Sequence, residues 1–83
     1  MDEYFRIIED KMKAVGYEVD GSRVYNEICD ERDGKENGLY VLLVKQEGTV
    51  HFEYHIEIMD EEFNLEGIQI IDGDKKIYVN FDE

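Results

Sequence analysis

The chain contains no proline and only one cysteine, Cys29, among its 83 residues. A single cysteine excludes a disulfide within the chain and is typical of proteins from reducing compartments such as the cytoplasm. Acidic Asp2 and Glu3 follow Met1 with no apolar h-region, so we expect no secretory signal, and no apolar run approaches the roughly 18 residues of a membrane span. We therefore expect a cytoplasmic protein with no membrane partner.

Basic residues are scarce as well. Nine lysines and arginines stand against 22 aspartates and glutamates, for a formal net charge of -13. Such an excess repels nucleic-acid phosphates and anionic membranes, and the aromatic residues lie among apolar or acidic neighbours instead of basic ones. Nucleic acid is therefore excluded as a partner, whereas divalent cations and basic proteins remain compatible with the charge.

Candidate nucleophiles are few, namely Ser22, Cys29 and Thr49, and none lies in a recognisable catalytic motif. Paired carboxylates are abundant, but acid and base catalysis needs a substrate cleft that a domain of this size seldom provides. We therefore expect no enzymatic activity.

The clearest structural pattern is GTVHFEYHIEI, residues 48–58, in which apolar and polar side chains alternate strictly. Successive side chains of a strand point to opposite faces, so one face is apolar and the other polar. The apolar positions are Val50, Phe52, Tyr54, Ile56 and Ile58. A shift of one residue would expose all five together, so the pattern predicts a half-buried strand with a well-specified register.

Other segments are assigned by the same reasoning. Residues 2–15 show apolar residues at helical spacing and end at Gly16, which predicts an N-terminal helix. LYVLLVK, residues 39–45, is apolar on both faces and predicts a central strand. GIQII and KIYVNF flank an Asp-Gly turn and predict a hairpin, whereas residues 59–66 are assigned to a loop or a short helical turn.

Residues 22–32 allow two assignments. Val24, Tyr25, Ile28 and Cys29 have helical spacing after a Ser22 cap, but Val24, Asn26 and Ile28 also alternate as in a strand. We favour the strand because ERDGKENG then becomes the loop of a hairpin with residues 39–45. The whole chain, residues 1–83, is then one α+β domain of two layers. Its N-terminal helix packs on a mainly antiparallel sheet of four or five strands.

An antiparallel sheet of this order places residues 30–37, residues 59–66 and the C-terminal tail at one end, where acidic residues are concentrated. Flexible loops rich in oxygen ligands suit calcium, which tolerates irregular geometry. The predicted metal ligands are Asp30, Glu31, Asp33, Glu36, Asp60, Glu61, Glu62 and Asn64. The opposing interpretation is a solvated acidic surface without a bound ion.

More specific metal motifs are rejected. In an EF-hand loop beginning at Asp60, Leu65 would replace the required glycine and Ile71 the bidentate glutamate. His51 and His55 lie four strand rises apart, about 13 Å, which is too far for both to bind one zinc ion.

With ERDGKENG and IMDEEFN on either side of the alternating strand, the chain resembles small, acidic, conserved hypothetical proteins of methanogenic archaea. The resemblance spans the whole chain and rests on size, acidity and element order. It implies a small α+β fold and calcium binding, with no assigned enzymatic activity. Weak calcium binding through acidic loops is thus the first functional hypothesis. The alternative is an acidic module that binds a basic protein, as a mimic of nucleic acid, without a specific metal site.

Overall fold

A computed structural model describes residues 2–45, 48–60 and 62–81. The chain divides into two compact units, one ending at Asp33 and the other beginning at Gly34. The first contains two helices and the second a four-stranded antiparallel sheet, so the predicted α+β class is confirmed. The elements are α1 (Asp2–Lys13), α2 (Gly21–Arg32), β1 (Gly38–Lys45), β2 (Val50–Met59), β3 (Glu62–Asp72) and β4 (Lys75–Asn80). That residues 1–83 form one domain stays a prediction.

Helix α1 ends as the sequence predicts. The Gly16 amide donates to the Lys13 carbonyl at 2.9 Å and the Tyr17 amide donates to the Met12 carbonyl at 3.1 Å. These two bonds form a Schellman motif, which requires a left-handed residue, and Gly16 has a φ of 96°. Glycine adopts that conformation without the steric cost of a Cβ atom. The helix therefore stops within two residues of its predicted end.

The predicted strand within residues 22–32 is wrong, because this segment forms helix α2. The cap is Asp20 instead of Ser22: one carboxylate oxygen of Asp20 accepts from the Ser22 amide at 3.0 Å and from the Ser22 hydroxyl at 2.7 Å. Glu9 of α1 accepts a further bond from the Gly21 amide at 2.8 Å. Two amides of the first turn, which a helix leaves without internal partners, are thus satisfied.

The two helices also meet through aromatic side chains. Tyr25 of α2 forms edge-to-face contacts with Tyr4 and Phe5 of α1, with ring centroids 5.9 and 5.5 Å apart. Gly21 lies so close to the backbone of Phe5 that a Cβ atom at this position would overlap the Phe5 carbonyl. Only glycine permits this approach, and the same approach places the Gly21 amide beside Glu9. The buried apolar residues of this unit are Ile8, Met12, Val24 and Ile28.

The sheet has the strand order β1-β2-β3-β4, and each strand runs antiparallel to the next. The alternating strand of residues 48–58 becomes β2, which pairs on both sides, and its predicted register is confirmed. Tyr54 is fully buried between Leu42 of β1 and Ile68 of β3. The buried residues of the sheet are Leu42, Phe52, Tyr54, Ile56, Ile58, Leu65, Ile68, Ile70 and Val79. The predicted final hairpin is also confirmed as β3 and β4, with Gly73 at a φ of 60° in the turn.

Two strand predictions are corrected. Residues 39–45 form an edge strand, not a central one, because the segment that was expected to flank it is α2. Residues 62–66, assigned to a loop or a helical turn, belong to β3. The assignment failed because an irregularity in the pairing between His55 and Ile56 leaves Glu66 without an opposing residue on β2 and interrupts the alternation. Such a bulge inserts one extra residue into a strand and shifts its side-chain pattern.

The Asp20 cap gives a pH-dependent prediction. Hydrogen bonds from the hydroxyl and then the amide of Ser22 lower the pKa of Asp20 below its usual 3.8. A carboxyl with a lowered pKa stabilises the folded state above its unfolded pKa, and this contribution is lost as pH falls through the folded value. Asp20→Ala should therefore lower the free energy of unfolding at pH 7, and the deficit should shrink below pH 3.8.

Urea denaturation, monitored by circular dichroism at pH values between 7 and 3, measures the deficit in the free energy of unfolding. The matched control is Asp30→Ala, an exposed aspartate in the last turns of the same helix, which has no capping role. A deficit for Asp20→Ala that stays constant across this pH range would contradict the assigned cause.

Candidate functional site

The face of the sheet opposite the buried side chains is the candidate site, and we name it the outer face. Its centre is the polar row of β2, in which His51, Glu53, His55 and Glu57 are all half-buried. Its edge is an apolar row on β1, where Leu39, Val41 and Leu43 are 71%, 56% and 66% exposed. Three large apolar side chains in one line are unusual on a protein surface, where exposed hydrophobic residues are normally scattered.

Carboxylates stand directly beside this apolar row. Leu39 pairs with Glu57 and Leu43 pairs with Glu53, while Val41 between them pairs with His55. Residues paired across antiparallel strands have Cβ atoms about 5 Å apart, so each leucine lies next to a negative charge. The sequence from Gly34 onward contains twelve acidic and only four basic residues. The outer face thus combines exposed apolar surface with negative potential.

His55 lies near the middle of the outer face, between Val41 on β1 and Gly67 on β3. Its ring meets the ring of Tyr78 edge to face, with centroids 5.5 Å apart. The Nε2 atom of His55 is buried and has no hydrogen-bond partner among the residues that the structure describes. The Tyr78 side chain covers Gly67, where a Cβ atom would overlap the phenol. A histidine, an aromatic ring and a glycine thus pack as one cluster across three strands.

The predicted metal ligands are divided between the two units. Asp30 and Glu31 lie on α2 and Asp33 follows it, whereas Glu36, Asp60, Glu62 and Asn64 belong to the sheet unit. The predicted hairpin between this segment and residues 39–45 does not exist, because residues 22–32 are helical. Glu61, and the tail residues Asp82 and Glu83, lie outside the described residues.

One part of the predicted convergence is confirmed. Gly38 pairs with Ile58, and the Asp60 amide donates to the Asn37 side-chain oxygen at 3.0 Å. The loop before β1 and the turn after β2 therefore meet, as the register of β2 requires. The Tyr40 hydroxyl donates to the Glu36 carbonyl at 2.7 Å and helps to hold this loop.

A shallow recess of about 300 Å³ lies at the same end of the sheet. Its lining includes Glu57, Asp60, Glu62 and Asn64, so it contains three of the predicted ligands. Across residues 2–45, 48–60 and 62–81, no three His, Cys, Asp or Glu side chains form a group that could hold a metal ion. Calcium binding by these residues stays a prediction.

Comparison with protein-family models finds no match. Neither the curated proteins nor the solved structures include a chain similar enough to report. Within the described part of the chain, neither helix has the length and apolar character needed to cross a bilayer.

The exposed apolar row was missed by sequence reasoning. Residues 39–45 were correctly seen to be apolar on both faces, and the usual meaning of that pattern is a strand covered on both sides. An edge strand with a binding face shows the same pattern. The absence of a charged residue between Gly38 and Val44 was the available signal, because edge strands normally carry charges that prevent pairing.

The covering of Gly67 by Tyr78 can be tested by substitution. Gly67→Ala should lower the free energy of unfolding by about 1–3 kcal/mol, because an added methyl group forces the Tyr78 side chain to move. Urea denaturation of Gly67→Ala in the wild-type and in a Tyr78→Ala background measures the coupling. The cost should be smaller without the phenol, and an equal cost in both backgrounds would refute the assigned contact.

Proposed function

We propose that the protein is an acidic interaction module that binds a basic segment of another protein on its outer face. The observation that supports this proposal is the exposed row of Leu39, Val41 and Leu43 lying directly beside Glu53 and Glu57. Apolar surface supplies affinity, and the flanking carboxylates select a partner of opposite charge. The cytoplasm is the proposed location, because the sequence contains a single cysteine.

A basic occupant fits this face better than a second copy of the chain. Each copy carries a net charge of -13, so association of two copies brings together charges of one sign. Charges separated by less than about 8 Å are incompletely screened at physiological salt. A segment with lysines or arginines instead gains from every carboxylate that it approaches. The charge that opposes self-association therefore favours a basic partner.

The carboxylates beside the apolar row should contribute to the binding of a basic peptide. The probe is a nine-residue fluorescent peptide of alternating lysine and valine. Replacing both carboxylates in Glu53→Gln/Glu57→Gln should weaken its binding by about twofold to thirtyfold, since ion pairs at a protein surface contribute about 0.2–1 kcal/mol each. Added salt should weaken binding to the wild type more than binding to this variant. Fluorescence anisotropy over a series of salt concentrations gives both results.

The matched control is Glu3→Gln/Asp10→Asn, which removes the same charge from exposed positions of α1. This control should bind the peptide almost as tightly as the wild type. Equal weakening by the two double variants would show attraction by net charge alone and would contradict a site on the outer face. Absence of measurable peptide binding at any salt concentration would overturn the proposed function.

Weak calcium binding is the second candidate function. The favouring observation is the recess lined by Glu57, Asp60, Glu62 and Asn64, where the turn after β2 meets the loop before β1. Asp60 has a φ of 51°, so the backbone conformation of this turn differs from that of a regular strand. Oxygen ligands in such an irregular turn suit calcium better than magnesium, which demands near-octahedral geometry.

A calcium titration, monitored by the chemical shifts of the backbone amides, tests the proposed calcium binding. We expect saturable shifts in residues 36–37 and 57–64 with a dissociation constant of about 1 mM, as for weak calcium modules. Asp60→Asn/Glu62→Gln should abolish them, whereas Asp72→Asn/Asp74→Asn at the opposite end of the sheet should not. Small, unsaturable shifts spread over the whole chain would rule out this site.

A further inference from the structure

We propose that the basic partner segment joins the sheet as an added strand beside β1, with its basic side chains on the outer face and its apolar side chains on the buried side. This inference rests on the proposed function and specifies how the partner is held. The described sheet ends at β1, so the strand that carries the exposed apolar row also offers one side of its backbone for pairing. Every second residue of an edge strand directs its N–H and C=O groups away from its neighbour.

The two edges of the sheet differ in the way that strand addition requires. β4 is six residues long and begins with Lys75 and Lys76, both exposed. Lysines on an edge strand discourage another chain from pairing there. β1 is eight residues long, and its first charged residue is Lys45 at its C-terminal end. The uncharged run of β1, residues 38–44, is therefore longer than that of β4, residues 77–80.

The positions of the carboxylates specify the side chains of the added strand. A strand paired with β1 lies about 10 Å from β2, twice the usual spacing between strands. A lysine on its outer face can lay its methylene groups over Leu39, Val41 or Leu43 and extend its ammonium group toward the carboxylates of β2. Glu57 and Glu53 stand opposite Leu39 and Leu43. The added strand therefore has two positions at which a lysine can contact both a leucine and a carboxylate. A shorter acidic or polar side chain satisfies neither contact.

The other face of β1 specifies the alternate residues. Leu42 is buried and Tyr40 and Val44 are half-buried on the side away from the outer face. An added strand places its remaining side chains next to these three, where apolar groups lose exposed surface. The partner chemistry is therefore a strand in which lysine or arginine alternates with apolar residues. Its period of two matches the period of β1.

The decisive probe is the lysine-valine peptide in two modified forms. In one form the backbone amide nitrogen of every lysine is methylated, and in the other form that of every valine is methylated. Alternate residues of a strand direct their backbone amides to the same edge. Each methylated form therefore loses the N–H donors of only one edge of the peptide. Strand addition uses one edge of the peptide. One form should therefore bind at least tenfold more weakly than the other.

Two further measurements place the peptide on the protein. Amides of residues 39–44 should gain hydrogen-exchange protection in the complex, while those of residues 75–80 should not. Val41→Lys should weaken binding at least tenfold, because it adds a cation and removes apolar surface at the middle of the row. The matched control is Ile7→Lys, an equivalent change at a helix position that is 44% exposed, and it should bind nearly as the wild type does.

The outcomes separate this inference from the proposed function. Peptide binding in which both N-methylated forms bind equally well would overturn strand addition and leave the acidic interaction module standing. Loss of all binding by the unmodified peptide would overturn both. Sedimentation of the protein alone provides the last test. A micromolar dimer that Val41→Lys dissociates would identify a second copy as the occupant of the edge, and would overturn the assignment to a basic partner.

Discussion

The alternation of side chains along β2 is the constraint on which the rest of the sheet depends. Its apolar face includes Tyr54, which has no exposed surface, and both neighbouring strands pair with it. Because side chains alternate with a period of two, moving β2 by one residue would exchange its buried and exposed faces. The register that follows sets where β1 begins and where the turn after β2 lies. Asn37 and Asp60 are brought together for this reason.

The same register creates the candidate interaction surface. Once the apolar residues of β2 face the core, its glutamates must lie on the outer face, beside whatever β1 places there. β1 places Leu39, Val41 and Leu43 there, and its position at the edge leaves them exposed. Carboxylates at the centre and apolar residues at the edge form a surface that suits a chain with basic and apolar residues in alternation. Strong negative charge also limits pairing between copies, which a long apolar edge would otherwise promote.

The calcium hypothesis depends on fewer residues than the sequence suggested. Its convergence argument required residues 24–30 to be a strand, whereas the Asp20 cap and the Gly21–Glu9 hydrogen bond hold that segment as a helix. The turn after β2 keeps Asp60, Glu62 and Asn64 in a shallow recess with Glu57. The proposed calcium site therefore takes its oxygen ligands from this single turn and its neighbouring strands. The interaction module requires no contribution from α2.

Local periodicity was sufficient to predict α1 and its end at Gly16, the strand β2, the hairpin of β3 and β4, and the meeting of the loops around Asn37 and Asp60. These features depend on neighbouring residues or follow directly from a register. Local periodicity did not decide the secondary structure of α2, because Val24 and Ile28 fit both a strand and a helix. A hydrogen bond from Gly21 to Glu9, twelve residues earlier, helps to stabilise the helix. The edge position of β1 also required the tertiary structure, since strand order depends on pairing between distant segments. The acidic composition allowed a basic protein as the alternative to calcium, but only the strand order placed an exposed apolar row beside Glu53 and Glu57.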